Sequence, residues 1–264
     1  MTGRLGILIS TAVLALGLTA CGASSFDIPI QTPIRAKLDV AGFQRVLVAG
    51  FVSGGGSDID PNEETVRLLR SQLRLKSKLK VVEADALPLA AITRQQTAAA
   101  APAGASKDVK TSEAPTSLPV KIKNAQELAQ YDRVFANTSY WKQLGEEYQD
   151  PLIVTGTILF TPQNQSGFVQ REQEVYNSLG ERSVVPIRTF MERKGFVLRP
   201  KFIFIDGRTG ATLYSETFRE EVLYDTGQDT PALSSYFELM DRIMPSFLNT
   251  LSSQKIRGTR VLLK

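Results

Sequence analysis

Leu152-Ile153-Val154-Thr155-Gly156-Thr157-Ile158-Leu159-Phe160 is the strongest strand signal in the chain. On its N-terminal side, Leu128, Tyr131, Phe135, Trp141, Leu144 and Tyr148 predict a helix from about Asn124 to Glu147, which Asp150-Pro151 stops. On its C-terminal side, residues 163–182 are polar, with Gly167 and Gly180, and read as an insertion or a flexible hairpin tip. Phe196–Asp206 and Ala211–Tyr224 then flank Gly207-Arg208-Thr209-Gly210, a compact turn between two long strands, so an antiparallel hairpin is expected.

Further out, Arg45-Val46-Leu47-Val48-Ala49-Gly50-Phe51-Val52 predicts a buried strand, followed by a Gly54-Gly55-Gly56 turn. Val66, Leu69 and Leu73 recur at helical spacing with Arg67, Arg70 and Arg74 between them. Glu63 and Glu64 in the first turn and the basic last turn suit the helix dipole. Leu79–Glu83 is a second short strand. From about residue 90 to 119 the chain is rich in Ala, Thr, Ser, Pro and Lys, which predicts a disordered insertion. The last helix has Leu233, Tyr236, Phe237, Met240, Ile243, Met244, Phe247, Leu248 and Leu251 on one face, with Pro245 on the other. Arg257–Lys264 is a basic tail able to form an edge strand. The expected fold is therefore α/β (α+β): one three-layer-like domain over residues 45–264, with a mixed sheet and the order β-α-β-α-β-β-β-α.

Residues 1–20 carry one charge, Arg4, ahead of an apolar stretch from Leu5 to Leu18. Fourteen helical residues reach about 21 Å, short of the ~30 Å hydrocarbon core, so the stretch reads as a secretory signal. Leu18-Thr19-Ala20-Cys21 resembles the bacterial lipobox, and Cys21 is the only cysteine in the chain. That resemblance implies a cysteine carrying acyl chains at a new N-terminus, and Gly22 in place of Asp implies sorting to the outer membrane, facing the periplasm. Residues 21–44 are then a lipid-anchored tether.

The chain has 264 residues, 31 basic and 27 acidic side chains, one cysteine and no histidine. An intramolecular disulfide and a cysteine-based zinc site are excluded. The absence of histidine removes the usual general base and every Ser-His or Cys-His nucleophile. The loop Gly50–Gly56 matches neither phosphate-binding glycine pattern, and Asp58, Asp60, Glu63 and Glu64 beside it would repel phosphate. Read as a calcium loop, the same cluster lacks the required glycine and the closing glutamate, so helix capping is the expected role. Glu216, Glu220 and Glu221 sit on a predicted strand among surface-type residues, and a solvated face is expected there. No enzyme, cofactor, metal or nucleic-acid partner is expected.

Arg45-Val46-Leu47-Val48-Ala49-Gly50-Phe51, Ile153-Val154-Thr155-Gly156-Thr157-Ile158 and Phe202-Ile203-Phe204-Ile205-Asp206-Gly207-Arg208-Thr209-Gly210-Ala211-Thr212-Leu213, together with the lipobox, resemble one group of envelope proteins. The group comprises the curli secretion-channel lipoproteins (CsgG), the N-terminal domain of the translocation protein TolB, and the lipoprotein activators of penicillin-binding proteins. The resemblance implies a non-enzymatic α/β domain on a lipid anchor that works through contacts with another envelope protein, or as a homo-oligomer. Pore formation would need hairpins with apolar residues at period two, and Gln163–Glu174 shows no such alternation. Tyr140, Trp141, Phe168 and the 163–195 segment are the candidate partner contacts.

Overall fold

The computed structural model describes residues 25–56, 59–100, 118–225 and 231–263. These fall into two units, one made of the chain's two ends (up to Arg35 and from Ser253) and one of Ala36–Ser252.

The larger unit is built on a mixed six-stranded sheet. Its strands are β2 (Arg45–Gly54), β3 (Lys80–Val81), β4 (Leu152–Tyr176), β5 (Arg182–Asp206), β6 (Thr212–Thr217) and β7 (Glu220–Asp225). The order is β3-β2-β4-β5-β6, with β7 also on β5. Strand β2 is parallel to β3 and β4, and the remaining pairs are antiparallel. The side chains alternate: Val46 and Val48 enter one core, Leu47 and Ala49 the other. The first core is closed by α1 (Pro61–Lys76) and by the last helix, α5 (Ala232–Leu251). The second is closed by α2 (Leu89–Ala100), α3 (Ala125–Ala129), a 3-10 turn (Gln130–Val134) and α4 (Thr138–Glu147). Helices cover both faces of the sheet, giving the expected three layers.

A bulge breaks the β2–β4 register between Val48 and Gly50. Four backbone groups around it have partners outside the β2–β4 ladder. Arg70 donates to the Val48 carbonyl at 2.9 Å, the Leu87 amide to Ala49 at 2.8 Å, and the Thr155 hydroxyl to Gly50 at 2.8 Å, while the Phe51 amide donates to the Asn62 side chain at 2.7 Å. Asp60 caps α1 by accepting from the Asn62 amide at 2.9 Å, and Pro61 opens the helix. Asp60 thus takes the expected capping role, while Glu63 and Glu64 lie in the first turn of the helix and Glu64 pairs with Arg67; Asp58 lies outside the described residues.

Strands β6 and β7 continue one register along β5, from Lys201↔Thr217 to Leu198↔Glu220. The break between them faces Pro200, which has no amide proton to give, although its carbonyl accepts from Phe218 at 2.9 Å. The turn at Asp206–Gly210 is as compact as the sequence predicts: Gly210 donates to the Asp206 carbonyl at 2.7 Å, and the Asp206 side chain accepts from the Arg208 amide at 3.0 Å.

Several expectations are corrected. The predicted helix over 124–147 is three short pieces, because Asn137 interrupts it and recaps α4 through the Tyr140 amide at 3.2 Å. The predicted disordered insertion begins with an ordered helix: α2 covers Leu89–Ala100 and buries Leu89 and Thr93, one turn apart. Residues 101–117 lie outside the described residues. Leu233, expected on the core face of α5, is exposed, because the buried stripe starts only at Ser235. The predicted tether contains a strand, β1 (Ser25–Ile34), which pairs antiparallel with β8 (Gln254–Leu263), the expected edge strand at the C-terminal tail.

Tyr236 ties α5 to the start of α1. Its buried hydroxyl lies against the Thr65 hydroxyl and 3.1 Å from the Pro61 carbonyl. Tyr236→Phe is expected to cost about 1 kcal/mol in denaturant unfolding at neutral pH, since Thr65 still donates to Pro61. Burial pushes the phenol's pKa up. An unfolded tyrosine ionises near 10 whereas the folded one keeps its proton, so this stabilisation holds below pH ~10 and is lost as pH rises above it. The phenylalanine variant should lose correspondingly less stability between pH 9 and 11.

Candidate interaction surface

The sheet does not end where its helices end. Phe160 on β4 and Val197 on β5 are buried, yet both strands run on, paired without interruption from Thr161↔Val197 to Tyr176↔Arg182. Strand β7 accompanies β5 as far as Arg193↔Asp225, and α5 braces it there, with the Tyr224 hydroxyl donating to Glu238 at 2.9 Å and Arg242 to the Glu221 carbonyl at 3.2 Å. Beyond that point a two-stranded arm continues for eleven residue pairs, about 35 Å at ~3.4 Å per residue. Its tip is a well-formed turn: the Asn177 side chain accepts from the Leu179 and Glu181 amides at 3.0 and 2.9 Å, and Gly180 takes a left-handed φ of 78°.

The expectation of an insertion or flexible hairpin tip over residues 163–182 is corrected: they are the outer half of β4 and the turn into β5, and 183–192 complete the arm. The arm carries large apolar side chains in the open: Phe168 is 67% exposed, Phe190 57% and Tyr176 64%, with Val169, Val175, Val184 and Val185 also exposed. Cross-strand partners share a face, so Phe168 and Phe190 meet edge-to-face at 5.4 Å, with Arg188 5.5 Å from the Phe168 ring. That face also carries Glu172, Glu174, Glu192 and Arg182, so three acids stand with two arginines on it. The opposite face carries Val169, Val175, Val185, Ile187 and Met191, and Arg171 is its only charge beyond Arg193. Among the described residues no strand covers the outer edge of β4 past Leu159, nor that of β5 before Arg193.

The other candidates are accounted for within the fold. Trp141, a candidate partner contact, is fully buried: it stacks on Phe135 at 6.4 Å and its indole donates to the Val134 carbonyl at 2.8 Å. Such a residue cannot reach a partner. Tyr140 is half-buried, edge-on to Trp141 at 5.1 Å, and burial raises its pKa. Phe168 alone of the three stands free in solvent. Glu216 is held by Lys37 and accepts from Thr250 at 3.3 Å, so it is not poised over a cleft. The cleft beside α1 is lined by Glu63, Arg67, Arg74 and Glu83, where Arg67 pairs with Glu64 and Arg74 with Glu83. No group of three or more candidate metal ligands occurs among the described residues. Leu18, Thr19, Ala20 and Cys21 lie outside them.

No family model matches the chain, and no curated protein matches it. Two solved structures are similar at a low level. The lipoprotein GNA1162 from Neisseria meningitidis aligns with a TM-score of 0.32 and 10% identity, over 78% of this chain and 98% of that one. A neuraminyllactose-binding hemagglutinin homologue from Helicobacter pylori aligns with a TM-score of 0.29 and 11% identity, over 85% of this chain and 92% of that one. Scores this low carry no argument about fold or function. Among the described residues, no helix is long and apolar enough to cross a membrane.

Strict period two is what a half-buried strand shows, and the arm's exposed faces show none. One signal was available: Val184-Val185-Pro186-Ile187 and Phe190-Met191 make residues 183–191 far more apolar than a loop, opposite the polar 163–174.

Proposed function

We propose that the protein is a non-enzymatic, lipid-anchored accessory or assembly factor of the outer membrane, which contacts another envelope protein through the β4–β5 arm. The observation that carries this is the arm itself: a ribbon whose two edges no strand covers among the described residues, with exposed aromatics near its base and at its tip. A two-stranded ribbon is marginal in water alone, and exposed apolar rows with open edges are where a further strand or an apolar surface docks. The lipobox-like Leu18-Thr19-Ala20-Cys21 supports the anchor, and the lack of histidine fits a role without chemistry.

A photocrosslinking residue placed at Phe168, Tyr176 or Phe190 in cells should yield a discrete heteromeric adduct. The same residue at Leu75, exposed on α1, should not. Equal labelling at all four sites, or none on the arm, would sink the reading.

The unbroken strands favour a second reading, a subunit of an oligomeric outer-membrane channel, since arms from several copies could join edge to edge. Against it, Arg171, Glu172, Glu174 and Arg188 lie midway along the arm, and an Arg at the bilayer midplane costs about 2–4 kcal/mol. Light scattering on the detergent-extracted, full-length protein separates the two. A large discrete oligomer supports the channel, and a monomer or dimer supports the accessory role.

A further inference from the structure

Ser25–Ile34 and Gln254–Leu263 form an antiparallel ribbon of ten residue pairs, a unit separate from Ala36–Ser252. Pro29 and Pro33 share one parity along β1, as an edge strand tolerates when the missing amide protons would point away from its partner. The register sorts the ribbon by chemistry. Ile28 and Ile30, 44% and 39% exposed, share a face with Arg260 and Gly258. The positions of Phe26, Ile34, Ile256 and Leu262 fall on that same face. Asp27, Pro29, Gln31 and Pro33 fall on the other, with Arg257, Thr259 and an exposed Val261. The apolar face includes one charge, Arg260. Across both strands three basic residues, Lys255, Arg257 and Arg260, stand against one acid, Asp27.

We infer that this ribbon lies on the surface of an anionic phospholipid bilayer, with the Ile28–Ile30 face in the boundary between headgroups and acyl chains and its basic residues on the phosphates. Amphipathic, net-basic elements bind membrane surfaces in this way. Its place in the chain fits: Ser25 is four residues from Cys21, at most about 14 Å of extended chain. If Cys21 carries acyl chains, β1 begins at the membrane. That last step rests on the lipid anchor of the proposed function; the amphipathic register does not, and neither does the test.

The test uses residues 21–264 with Cys21→Ser, which carries no acyl group, and sedimentation with vesicles of phosphatidylethanolamine and phosphatidylglycerol at 3:1. Binding is expected, and Ile28→Asp with Ile30→Asp should weaken it at least tenfold. Arg257→Glu with Arg260→Glu should weaken it by a similar factor, at about fivefold per lost basic contact, and only when phosphatidylglycerol is present. A polarity-sensitive dye on a single cysteine replacing Ile30 should shift to the blue on these vesicles, and the same dye replacing Phe168 should not. Absence of vesicle binding, insensitivity to all four substitutions, or a shift at 168 in place of 30 would each overturn the assignment. Arm crosslinking in the Ile28, Ile30, Arg257 and Arg260 variants reads the proposed function separately, because none of these four residues lies on the arm.

Discussion

Excising residues 165–193 and joining Asn164 to Lys194 through Asn-Gly is expected to leave the fold intact and abolish arm-dependent crosslinking. Asn164 and Lys194 are cross-strand partners, so a two-residue turn closes the ribbon there without changing its register. What is removed contributes little to stability. Every side chain from 165 to 193 is exposed except Ile187 and Met191, which are half-buried. The ion pairs lost at the base, Arg193–Asp225 and Lys194–Glu192, are solvent-exposed and worth at most about 1 kcal/mol each. Strand β7 keeps its pairing from Lys194 to Leu198, and α5 keeps its hold on Tyr224. The melting temperature should therefore stay within a few degrees of the parent, while the heteromeric adduct formed by an amine-reactive crosslinker on lysines outside the excised segment falls at least tenfold. A collapse in stability would mean that the arm packs into the domain. An undiminished adduct, formed from a crosslinker at another exposed position, would move the partner site elsewhere.

That variant divides the chain where sequence reading also divides. Strands β2, the inner half of β4 and the β5–β6 hairpin were legible because each buries an apolar run, and burial is what composition records. The outer half of β4 was not. Gln163 to Glu174 are strand residues only because Glu172 to Gly195 lie opposite them, and pairing leaves no periodicity in a strand that buries neither face. Helix α2 was hidden for a related reason: its sequence is largely alanine, threonine and glutamine, and its buried Leu89 and Thr93 lie at its start. In β1, the spacing of Phe26, Ile28 and Ile30 was visible, but Pro29 and Pro33 argued against a strand, and the partner that makes it one lies at the other end of the sequence. Trp141 shows the limit for sites, since an aromatic residue beside Tyr140 reads alike whether it faces a partner or the core.

Gly156→Ala is expected to be strongly destabilising. Gly156 sits mid-strand in β4, where glycine weakens a strand unless something needs its space. Here two things do. Its φ is +146°, a conformation that costs a residue with a Cβ about 1–3 kcal/mol. A Cβ built on it would lie 1.8 Å from the Lys201 carbonyl oxygen, a backbone atom in the neighbouring strand that cannot swing aside. The register gives the gap its purpose. Gly156 is paired with Phe51 on one side and Phe202 on the other, and those two rings meet edge-to-face at 5.9 Å, in the core under α1 and α5. Moving β4 away from β5 to admit a methyl group would break both the ladder and this aromatic contact. The expected loss is at least about 3–4 kcal/mol, against a total stability of roughly 5–15 kcal/mol for a domain. Denaturant unfolding should show a midpoint lowered by a large fraction, or no folded protein at all. Gly167→Ala is the control: nothing lies within 4 Å of its added Cβ, and its effect should stay within about 0.5 kcal/mol. If the two variants unfold alike, the close approach of β4 to β5 at Gly156 is not a feature of the folded protein.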